Sequence, residues 1–410
     1  MELKSLLKFF FKWIFLCIII GICSGLASGL FLYSLEFVTF FRELNQWIIW
    51  FLPIGGLLIG YLYFLYGKEV VSGNNLILEE YSNSKKRIPF RMAPLVFFTT
   101  LITHFFGGSA GREGTAIQMS TSISDQLSSF FSLHNRERKI ILVCGISAGF
   151  ASVFGTPLAG AVFAIELLFF SKVSLKSIVP SFLVAFIAYF TVEFLPVQHT
   201  HYMIPFVPNI TIQTLFWTIL VGILFGIVAM LFSKSTHWWG RLFVKHINFP
   251  PLRPFIGGIV LALTVFLIGS TKYIGLGIPT ILESFEMQQW VGIFAIKILF
   301  TGFTLGAGFK GGEVTPLFFV GATLGSFLSL YIPLPTALLA GMGFVAVFSG
   351  ATHTPIASTL MGIELFGLQT GIFVGVACFV SYFFSGMNGI YSSQVIGGIK
   401  KQIYTGIKNR

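Results

Sequence analysis

Two glycine-rich segments each place an acidic residue between long apolar stretches of the chain. The first is GGSAGREGT at 107–115, which contains Glu113 beside Arg112, and the second is GAGFKGGEVTP at 306–316, which contains Glu313. Both segments lead into predicted helices, and a helix N-terminus attracts anions through its free N–H groups and partial positive charge. Two such termini that converge would form an anion site without a full positive charge. The alternative is that these glycines only allow helices to pack closely.

An internal repeat connects the two segments to equivalent positions further along the chain. GISAGFASVFGTPLAGAVFAIELLF at 145–169 and GMGFVAVFSGATHTPIASTLMGIELFG at 341–367 share glycines, a Thr-Pro pair and an Ile-Glu-Leu step that contains Glu166 in one copy and Glu364 in the other. We interpret these two glutamates as structural, because they lie at matching repeat positions.

The repeat predicts two halves, about 1–205 and 206–410, within one transmembrane domain. Glu113 precedes Glu166 by nearly the same number of residues as Glu313 precedes Glu364, and the two separations differ by only two residues. Transporters often contain two such halves in inverted orientation, with the substrate site where broken helices meet. Periodicity alone leaves open whether the halves are inverted or parallel.

The composition indicates an integral membrane protein. Of 410 residues, 55% are hydrophobic and 10% are charged, whereas about a quarter of a soluble domain is charged. Several apolar stretches exceed the roughly 20 residues of one span or are interrupted by Gly and Pro, so an all-α fold with more helices than stretches is expected. The stretches are 13–40, 49–66, 92–108, 139–170, 176–195, 211–233, 254–270, 290–307, 315–349 and 369–384.

The placement of the +11 net charge predicts the orientation of the chain. The loop at 197–213 has no Lys or Arg and is expected to face outward, while basic residues in the cytoplasm would place both termini inside. No soluble basic domain is present to bind nucleic acid. The basic residues cluster in short connections: Lys4, Lys8 and Lys12; Lys85, Lys86, Arg87 and Arg91; Arg136, Arg138 and Lys139; Lys172 and Lys176; Arg241 and Lys245; and Lys400, Lys401, Lys408 and Arg410.

Neither a metal site, nor a cofactor, nor an enzymatic activity is predicted. The four cysteines fall inside apolar runs and are typical of small core residues. His199 and His201 make an incomplete metal-ligand set. An intramembrane protease would need a nucleophile with a base or metal ligands, but the chain has no HExxH motif and no Ser/His pair in helical register.

Three motifs in order resemble the CLC family of chloride channels and anion/proton antiporters. GREGT at 111–115 is similar to the family's GREGP signature, GGEVTP at 311–316 to its GGxFxP signature, and TPLAGAVFAIEL to the helix that follows the first signature. The resemblance implies an inverted-repeat fold of tilted and broken helices, a homodimer with one anion pathway per subunit, and Glu113 as the gating glutamate. A carboxylate at a helix start can occupy the anion's position while ionised and leave it when protonated.

The departures from the family pattern resemble its fluoride-exporting branch. GNNLI at 73–77 stands in place of GSGIP, GREGT in place of GREGP, and Val314 in place of a phenylalanine. Fluoride is small and strongly hydrated, so its binding requires many hydrogen-bond donors, which the amide of Asn74 or Asn75, the hydroxyl of Thr315 and backbone N–H groups would supply. The resemblance thus implies a fluoride/proton antiporter that exports fluoride across a bacterial inner membrane. The alternative is a chloride/proton antiporter or anion channel of the same family.

The resemblance also implies the remaining site residues. The family carries a tyrosine facing the anion where this chain has Tyr391, and chloride/proton antiporters carry a relay glutamate where it has Leu167. Glu313 is therefore the candidate for a second proton or gating role, or else a helix-start carboxylate satisfied by local N–H groups. Because the chain stops at Arg410, we expect no cytoplasmic regulatory domain. The expected anion-binding residues are Asn74, Asn75, Gly114, Thr115, Val314, Thr315 and Tyr391.

Overall fold

The computed structural model describes residues 3–171 and 173–408, with side chains described for 10–171 and 173–406. The described chain is helical, with seventeen α-helices, four short 3₁₀ helices and no strand. Of the basic residues used above, Lys172 and Arg410 lie outside the described residues, as do the side chains of Lys4, Lys8 and Lys408.

Eight helices precede the long loop at 194–211 and nine follow it. The first eight are α1 (Leu3–Leu44), α2 (Leu52–Tyr66), α3 (Asn74–Ser82), α4 (Met92–Phe106), α5 (Glu113–Phe130), α6 (Asn135–Phe154), α7 (Pro157–Leu167) and α8 (Ile178–Glu193). After the loop come α9 (Ile212–His246), α10 (Leu252–Ile268), α11 (Ile278–Glu286), α12 (Gly292–Gly306), α13 (Val314–Leu328), α14 (Thr336–Thr352), α15 (Pro355–Phe366), α16 (Gly371–Phe384) and α17 (Gly398–Lys408). The 3₁₀ helices are Gln46–Phe51, Phe169–Ser171, Leu175–Ser177 and Leu368–Thr370.

The Thr-Pro pairs of the repeat break long apolar stretches into separate helices. The stretch 139–170 divides between α6 and α7, where Gly155 adopts a left-handed φ of 72° and Pro157 begins the next helix. In the second half, His353 takes the same capping position with a φ of 56° before Pro355. Proline cannot continue a helix because it lacks an N–H and clashes with the preceding turn. The prediction of more helices than apolar stretches is therefore confirmed.

Four described helical segments are long and apolar enough to cross a membrane: Phe10–Leu44, Gln46–Tyr66, Leu175–Glu193 and Ile212–His246. In the most apolar part of each segment, at most half of the residues are buried inside the protein. Their outward faces carry large exposed apolar side chains such as Phe37, Leu30 and Phe216, which suits contact with lipid.

Reciprocal hydrogen bonds fasten the two halves of the chain to each other. The Glu166 carboxylate of α7 accepts hydrogen bonds from N–H groups at the start of α15, at 2.9 and 2.8 Å. The Glu364 carboxylate of α15 accepts two from the start of α7 at the same distances. Each carboxylate therefore accepts hydrogen bonds from free N–H groups at the start of a broken helix. This structural role explains the presence of both glutamates without a role in transport. A two-fold relation between the halves would produce this exchange.

Two of the basic residues assigned to short connections lie instead within helices and are buried. Arg138 lies in the first turn of α6 and is 6% exposed, and Lys400 in α17 is 1% exposed. The ammonium group of Lys400 contacts His353 Nδ1 at 2.8 Å and Ser385 Oγ at 3.0 Å. The pattern of charges in the sequence could not distinguish these two buried residues from neighbouring basic residues, because burial depends on tertiary contacts.

Candidate functional site

Glu113 is the first residue of α5, and its carboxylate is fully buried against the start of α13. Its Oε2 accepts hydrogen bonds from the backbone N–H of Thr315 at 3.0 Å and from that of Arg112 at 3.1 Å. Its Oε1 accepts a hydrogen bond from the Thr315 hydroxyl at 2.5 Å. A carboxylate from one half of the chain thus occupies the N-terminus of a helix from the other half.

The glycine-rich loops bring the starts of α5 and α13 together. The N–H of Gly111 donates to the Gly312 carbonyl at 2.6 Å, and the N–H of Gly312 donates to the Gly111 carbonyl at 2.8 Å. A Cβ on Gly312 would lie 2.8 Å from the backbone nitrogen of Gly114, so no larger residue fits at this crossing. Two positive helix ends therefore meet at one place, as the sequence predicted for these segments.

Arg112 lies between the Glu113 carboxylate and a cavity lined by the loop at 194–211. Its Nε is 3.6 Å from Glu113 Oε1, and its side chain lines this cavity of about 610 Å³ together with Gln198 and Thr200. The ion pair is longer than a hydrogen bond. Arg112 thus contacts both the buried carboxylate and this cavity.

The structure separates Thr115 from the carboxylate. Its buried hydroxyl is paired with the hydroxyl of Thr100 in α4, at 2.8 Å. Of the two threonines expected to contact the anion, only Thr315 has a hydrogen bond to the Glu113 carboxylate among the described residues. Thr100 was missed by the sequence reasoning, although the threonines of TTLIT at 99–103 are a polar signal inside an apolar helix.

Asn74 and Tyr391 line the same small cavity. This cavity has a volume of about 10 Å³ and is also lined by Ile117, Ile146 and Leu167, with Ile77 and Leu78 of α3. The Oδ1 of Asn74 and the hydroxyl of Tyr391 are buried and lack a hydrogen-bond partner within the described part of the chain. Buried polar atoms in native proteins nearly always have a partner, so this cavity is suited to a small polar or ionic guest.

The helix starts adjoin this cavity through Gly114. A Cβ on Gly114 would lie 2.9 Å from the Asn74 side-chain nitrogen, so the amide of α3 lies against the first turn of α5. Asn74 is itself the first residue of α3. The amide oxygen and nitrogen are exchanged by a half-turn of the side chain, so Asn74 can direct either a donor or an acceptor into the cavity.

Leu167 lines the same cavity as the two polar side chains. It is 5% exposed and belongs to the hydrophobic core. No ionisable side chain lines this cavity besides Tyr391. A carboxylate-based proton relay through position 167 is therefore excluded by the chemistry of the leucine side chain.

Asn75 contacts the chain segment after Tyr391 rather than the cavity. Its Oδ1 accepts a hydrogen bond from the backbone N–H of Ser393 at 3.0 Å, and the Ser393 hydroxyl donates to Glu79 at 2.7 Å. These bonds hold Tyr391 beside α3. Asn75 is thus placed to position the tyrosine, whereas the sequence could not decide between Asn74 and Asn75 as the anion donor.

Val314 and Glu313 lie at the start of α13. Val314 is fully buried. Glu313 is the N-cap residue, yet its side chain makes no capping hydrogen bond to the helix and is only partly buried. The Thr315 N–H of this helix start donates to Glu113 rather than to Glu313.

The loop at 194–211 lines a second, larger cavity of about 920 Å³. His199 and His201 both contribute to its walls, with Glu193 and Glu364. Burial, together with the charge of Arg112, lowers the pKa of His199 to about 4, so this imidazole is uncharged near neutral pH. Among the described residues, no group of three or more His, Cys, Asp or Glu side chains could hold a metal ion.

Comparisons with known proteins converge on one family. The model of the voltage gated chloride channel family matches residues 55–386. A protein of Pseudomonas syringae pv. tomato named a chloride/fluoride channel protein is 46% identical over 381 residues, which cover 90% of this chain and 83% of that protein. A voltage-gated ClC-type chloride channel of Salmonella typhi is 28% identical, over 69% of this chain and 70% of its own.

Solved structures with the same architecture also match. The crystal structure of a CLC-type fluoride/proton antiporter superposes with a TM-score of 0.91 at 34% identity, covering 96% of this chain and 99% of that chain. A slow cyanobacterial chloride/proton antiporter superposes with a TM-score of 0.80 at 18% identity, covering 97% and 99%. At that identity the second match shows the shared fold alone.

Proposed function

The chain belongs to the voltage-gated chloride channel (CLC) family, and from this membership we propose that it is a fluoride/proton antiporter that exports fluoride from the cytoplasm. The observation that carries the proposal is the docking of the Glu113 carboxylate on the start of α13, through the N–H and hydroxyl of Thr315. The similarity to a structure described as a CLC-type fluoride/proton antiporter supports the choice of ions.

The docked carboxylate explains how anion and proton transport are coupled. While ionised, Glu113 fills the α13 terminus with its own negative charge and keeps a free anion out. When a proton neutralises it, its hydrogen bonds to the N–H and hydroxyl donors weaken, because bonds to a charged acceptor are about twice as strong as neutral ones. The neutral carboxyl group then leaves the α13 terminus and an anion binds there. Binding of the anion is thus coupled to protonation of Glu113.

The size and polarity of the inner cavity favour fluoride over chloride. Its volume of about 10 Å³ is near the minimum that accommodates a single water molecule, and fluoride is closer to water in size than chloride is. Asn74 and Tyr391 supply side-chain donors from two sides, and the backbone near Gly114 adds N–H groups at the start of α5. Several short donors around a small guest replace the water that fluoride must lose.

Glu313 is proposed as a second participant in the transport cycle. It is partly buried at the start of α13, next to the helix terminus that binds Glu113, and makes no capping bond. Since position 167 is leucine, a carboxylate close to the anion site is the remaining place where a proton could be held or a gate conformation stabilised. Glu113 alone, or a chain of water molecules, would be the proton route if Glu313 has no such role.

The assembly and orientation are proposed on the same basis. A homodimer with one anion pathway per subunit is proposed from membership of the CLC family. The reciprocal bonds between Gly111 and Gly312 support two inverted halves of about 1–205 and 206–410. Both termini are proposed to lie in the cytoplasm of a bacterial cell whose inner membrane holds the protein. A transporter of this kind requires no cofactor and no enzymatic step.

The proposal is tested by reconstituting the protein in liposomes and recording fluoride and pH with selective electrodes. An imposed fluoride gradient should drive proton movement in the opposite direction, and chloride should substitute poorly. Glu113→Gln, which cannot ionise, should abolish proton movement while the protein still folds as a dimer. Coupled movement at the normal rate in this variant would contradict the proposed gate, and equal transport of chloride would favour the chloride/proton antiporter.

A further inference from the structure

Arg138 forms a buried ion pair with the helix that carries the gating glutamate. It lies in the first turn of α6, is 6% exposed and faces Asp125 of α5, which is fully buried. Its Nε donates to Asp125 Oδ1 at 2.8 Å and its Nη2 to Asp125 Oδ2 at 2.7 Å. This two-pronged geometry fixes both the distance and the orientation between guanidinium and carboxylate. Arg138 therefore holds α5 near its C-terminal end.

The same guanidinium also holds α3, the helix that begins with Asn74. Its Nη1 donates to Glu80 Oε2 at 3.2 Å. Glu80 is 7% exposed, and its carboxylate also accepts hydrogen bonds from the backbone N–H groups of Lys85 and Lys86 at 3.0 to 3.1 Å. The C-terminal end of α3 and the turn after it are thus tied to Arg138.

The connection between α3 and α4 completes this cluster. Arg138 Nη2 donates to the Lys86 carbonyl at 2.8 Å, Arg138 Nη1 donates to the Ser84 hydroxyl, and the N–H of Ile88 donates to Asp125 Oδ2 at 2.9 Å. One arginine thus bridges two buried carboxylates and the loop between them. Removing one partner of such a cluster leaves an uncompensated buried charge, so its geometry is strongly enforced.

We propose that Arg138 is a positioning residue for anion selectivity, which sets the separation between Asn74 on α3 and the start of α5. Asn74 lies about 9 Å along α3 from Glu80, and Glu113 lies about 18 Å along α5 from Asp125, at 1.5 Å per residue. Each helix is therefore held at one end by Arg138 and presents a site residue at the other. This inference rests on the proposed function, because it concerns which anion the site accepts.

Selectivity depends on this separation because the cavity between the two helices is so small. Fluoride requires close donors on several sides, whereas a slightly wider cavity admits chloride and leaves fluoride less well coordinated. α3 has only nine residues and no side-chain cap at its start, so apart from the bond between Asn75 and Ser393 its position depends on the end that Arg138 holds. If the Glu80 end of α3 shifts, Asn74 moves away from Gly114, against which it lies closely in the native structure.

The test compares Glu80→Gln with Glu137→Gln by measuring fluoride and chloride fluxes in liposomes. Glu80→Gln removes the charge that ties α3 to Arg138, and we expect the fluoride-to-chloride flux ratio to fall by about tenfold, as small misplacements of site groups do. Glu137 is the neighbour of Arg138 on α6, and its carboxylate pairs with Lys12 of α1 at 2.6 Å. It contacts neither α3 nor α5 through that pair, so Glu137→Gln should lose an ion pair of α6 that is more exposed than the Arg138–Glu80 pair and keep the ratio.

Arg138→Lys provides a second variant that keeps the charge and loses the forked geometry. We expect Arg138→Lys also to lower the fluoride-to-chloride flux ratio, provided that size-exclusion chromatography shows a folded dimer. An unchanged ratio in Glu80→Gln would overturn the inference, and so would an equal fall in Glu137→Gln. These outcomes are separate from a failure of the proposed function, which would appear in the unmodified protein as absence of fluoride-coupled proton movement.

Discussion

Replacing Thr315 with valine removes one hydrogen bond from the docked gate and preserves the shape of the side chain. The Thr315 hydroxyl donates to Glu113 Oε1 at 2.5 Å, and two backbone N–H bonds to Oε2 remain after the substitution. A hydrogen bond to a charged acceptor contributes about 1.5–3 kcal/mol. Since about 1.4 kcal/mol corresponds to a factor of ten, the docked state of the carboxylate should become about 10- to 100-fold less populated relative to the undocked state.

A less populated docked state should loosen the coupling between anion and proton. Anions would enter the α13 terminus without displacing the carboxylate, so fewer protons would move for each fluoride, and discrimination against chloride would weaken with the loss of a donor. Simultaneous recording of fluoride and pH in liposomes gives the number of protons per fluoride directly. We expect this number to fall in Thr315→Val, with a folded dimer on size-exclusion chromatography.

Thr115→Val is the matched control for this substitution. Thr115 is also buried in the first turn of a site helix, but its hydroxyl pairs with Thr100. Losing a neutral hydrogen bond should cost about 0.5–1.5 kcal/mol of stability and leave the coupling unchanged. Unaltered coupling and selectivity in Thr315→Val would refute the reasoning, as would equal uncoupling in Thr115→Val, which would instead support a direct anion contact by Thr115.

Three further substitutions test other parts of the site. Glu313→Gln should sharply reduce fluoride-driven proton uptake. Glu166→Gln is the control and should keep near-normal uptake, because the Glu166 carboxylate bonds to the start of α15. Wild-type coupling in both variants would leave Glu113 or water as the proton route. Asn74→Ser should lower the fluoride-to-chloride flux ratio by about tenfold or more through the loss of a donor to a charged guest, and an unchanged ratio would mean that the amide does not face the anion. Tyr391→Phe removes a buried hydroxyl that has no hydrogen-bond partner among the described residues, so it should weaken fluoride flux without reducing thermal stability. A large loss of thermal stability would show that the hydroxyl bonds to the protein instead.

The broken helices of the repeat were predictable from the sequence because their causes are local. Pro157 and Pro355 each begin a helix after a threonine, and Gly155 supplies the left-handed residue before the first break. The convergence of the two glycine-rich loops also followed from the repeat. The sequence could not show that the Glu113 carboxylate bonds to Thr315, because that contact joins helix starts about 200 positions apart and depends on the crossing at Gly312.

Polar residues within apolar helices were the least predictable part of the site. Thr115 and Thr315 look equivalent in sequence, since each follows a glutamate at a helix start, yet one bonds to Thr100 and the other to Glu113. Which acceptor a hydroxyl finds is decided by the rotation of its helix against its neighbours. The same reason explains Arg138, which the charge pattern placed in a short connection and which the fold buries in α6 against Asp125.

The central claim, that this protein exchanges fluoride for protons, is tested most directly by uphill transport. Liposomes containing the protein are prepared with equal fluoride inside and outside, and a pH difference is imposed across the membrane while a potassium ionophore holds the membrane potential at zero. The account predicts that fluoride accumulates on the more acidic side, against its own growing gradient, as protons leave that side, and that Glu113→Gln abolishes this accumulation. If fluoride stays at equilibrium in the unmodified protein while moving freely down an imposed fluoride gradient, the protein is an anion channel and the claim of exchange is wrong.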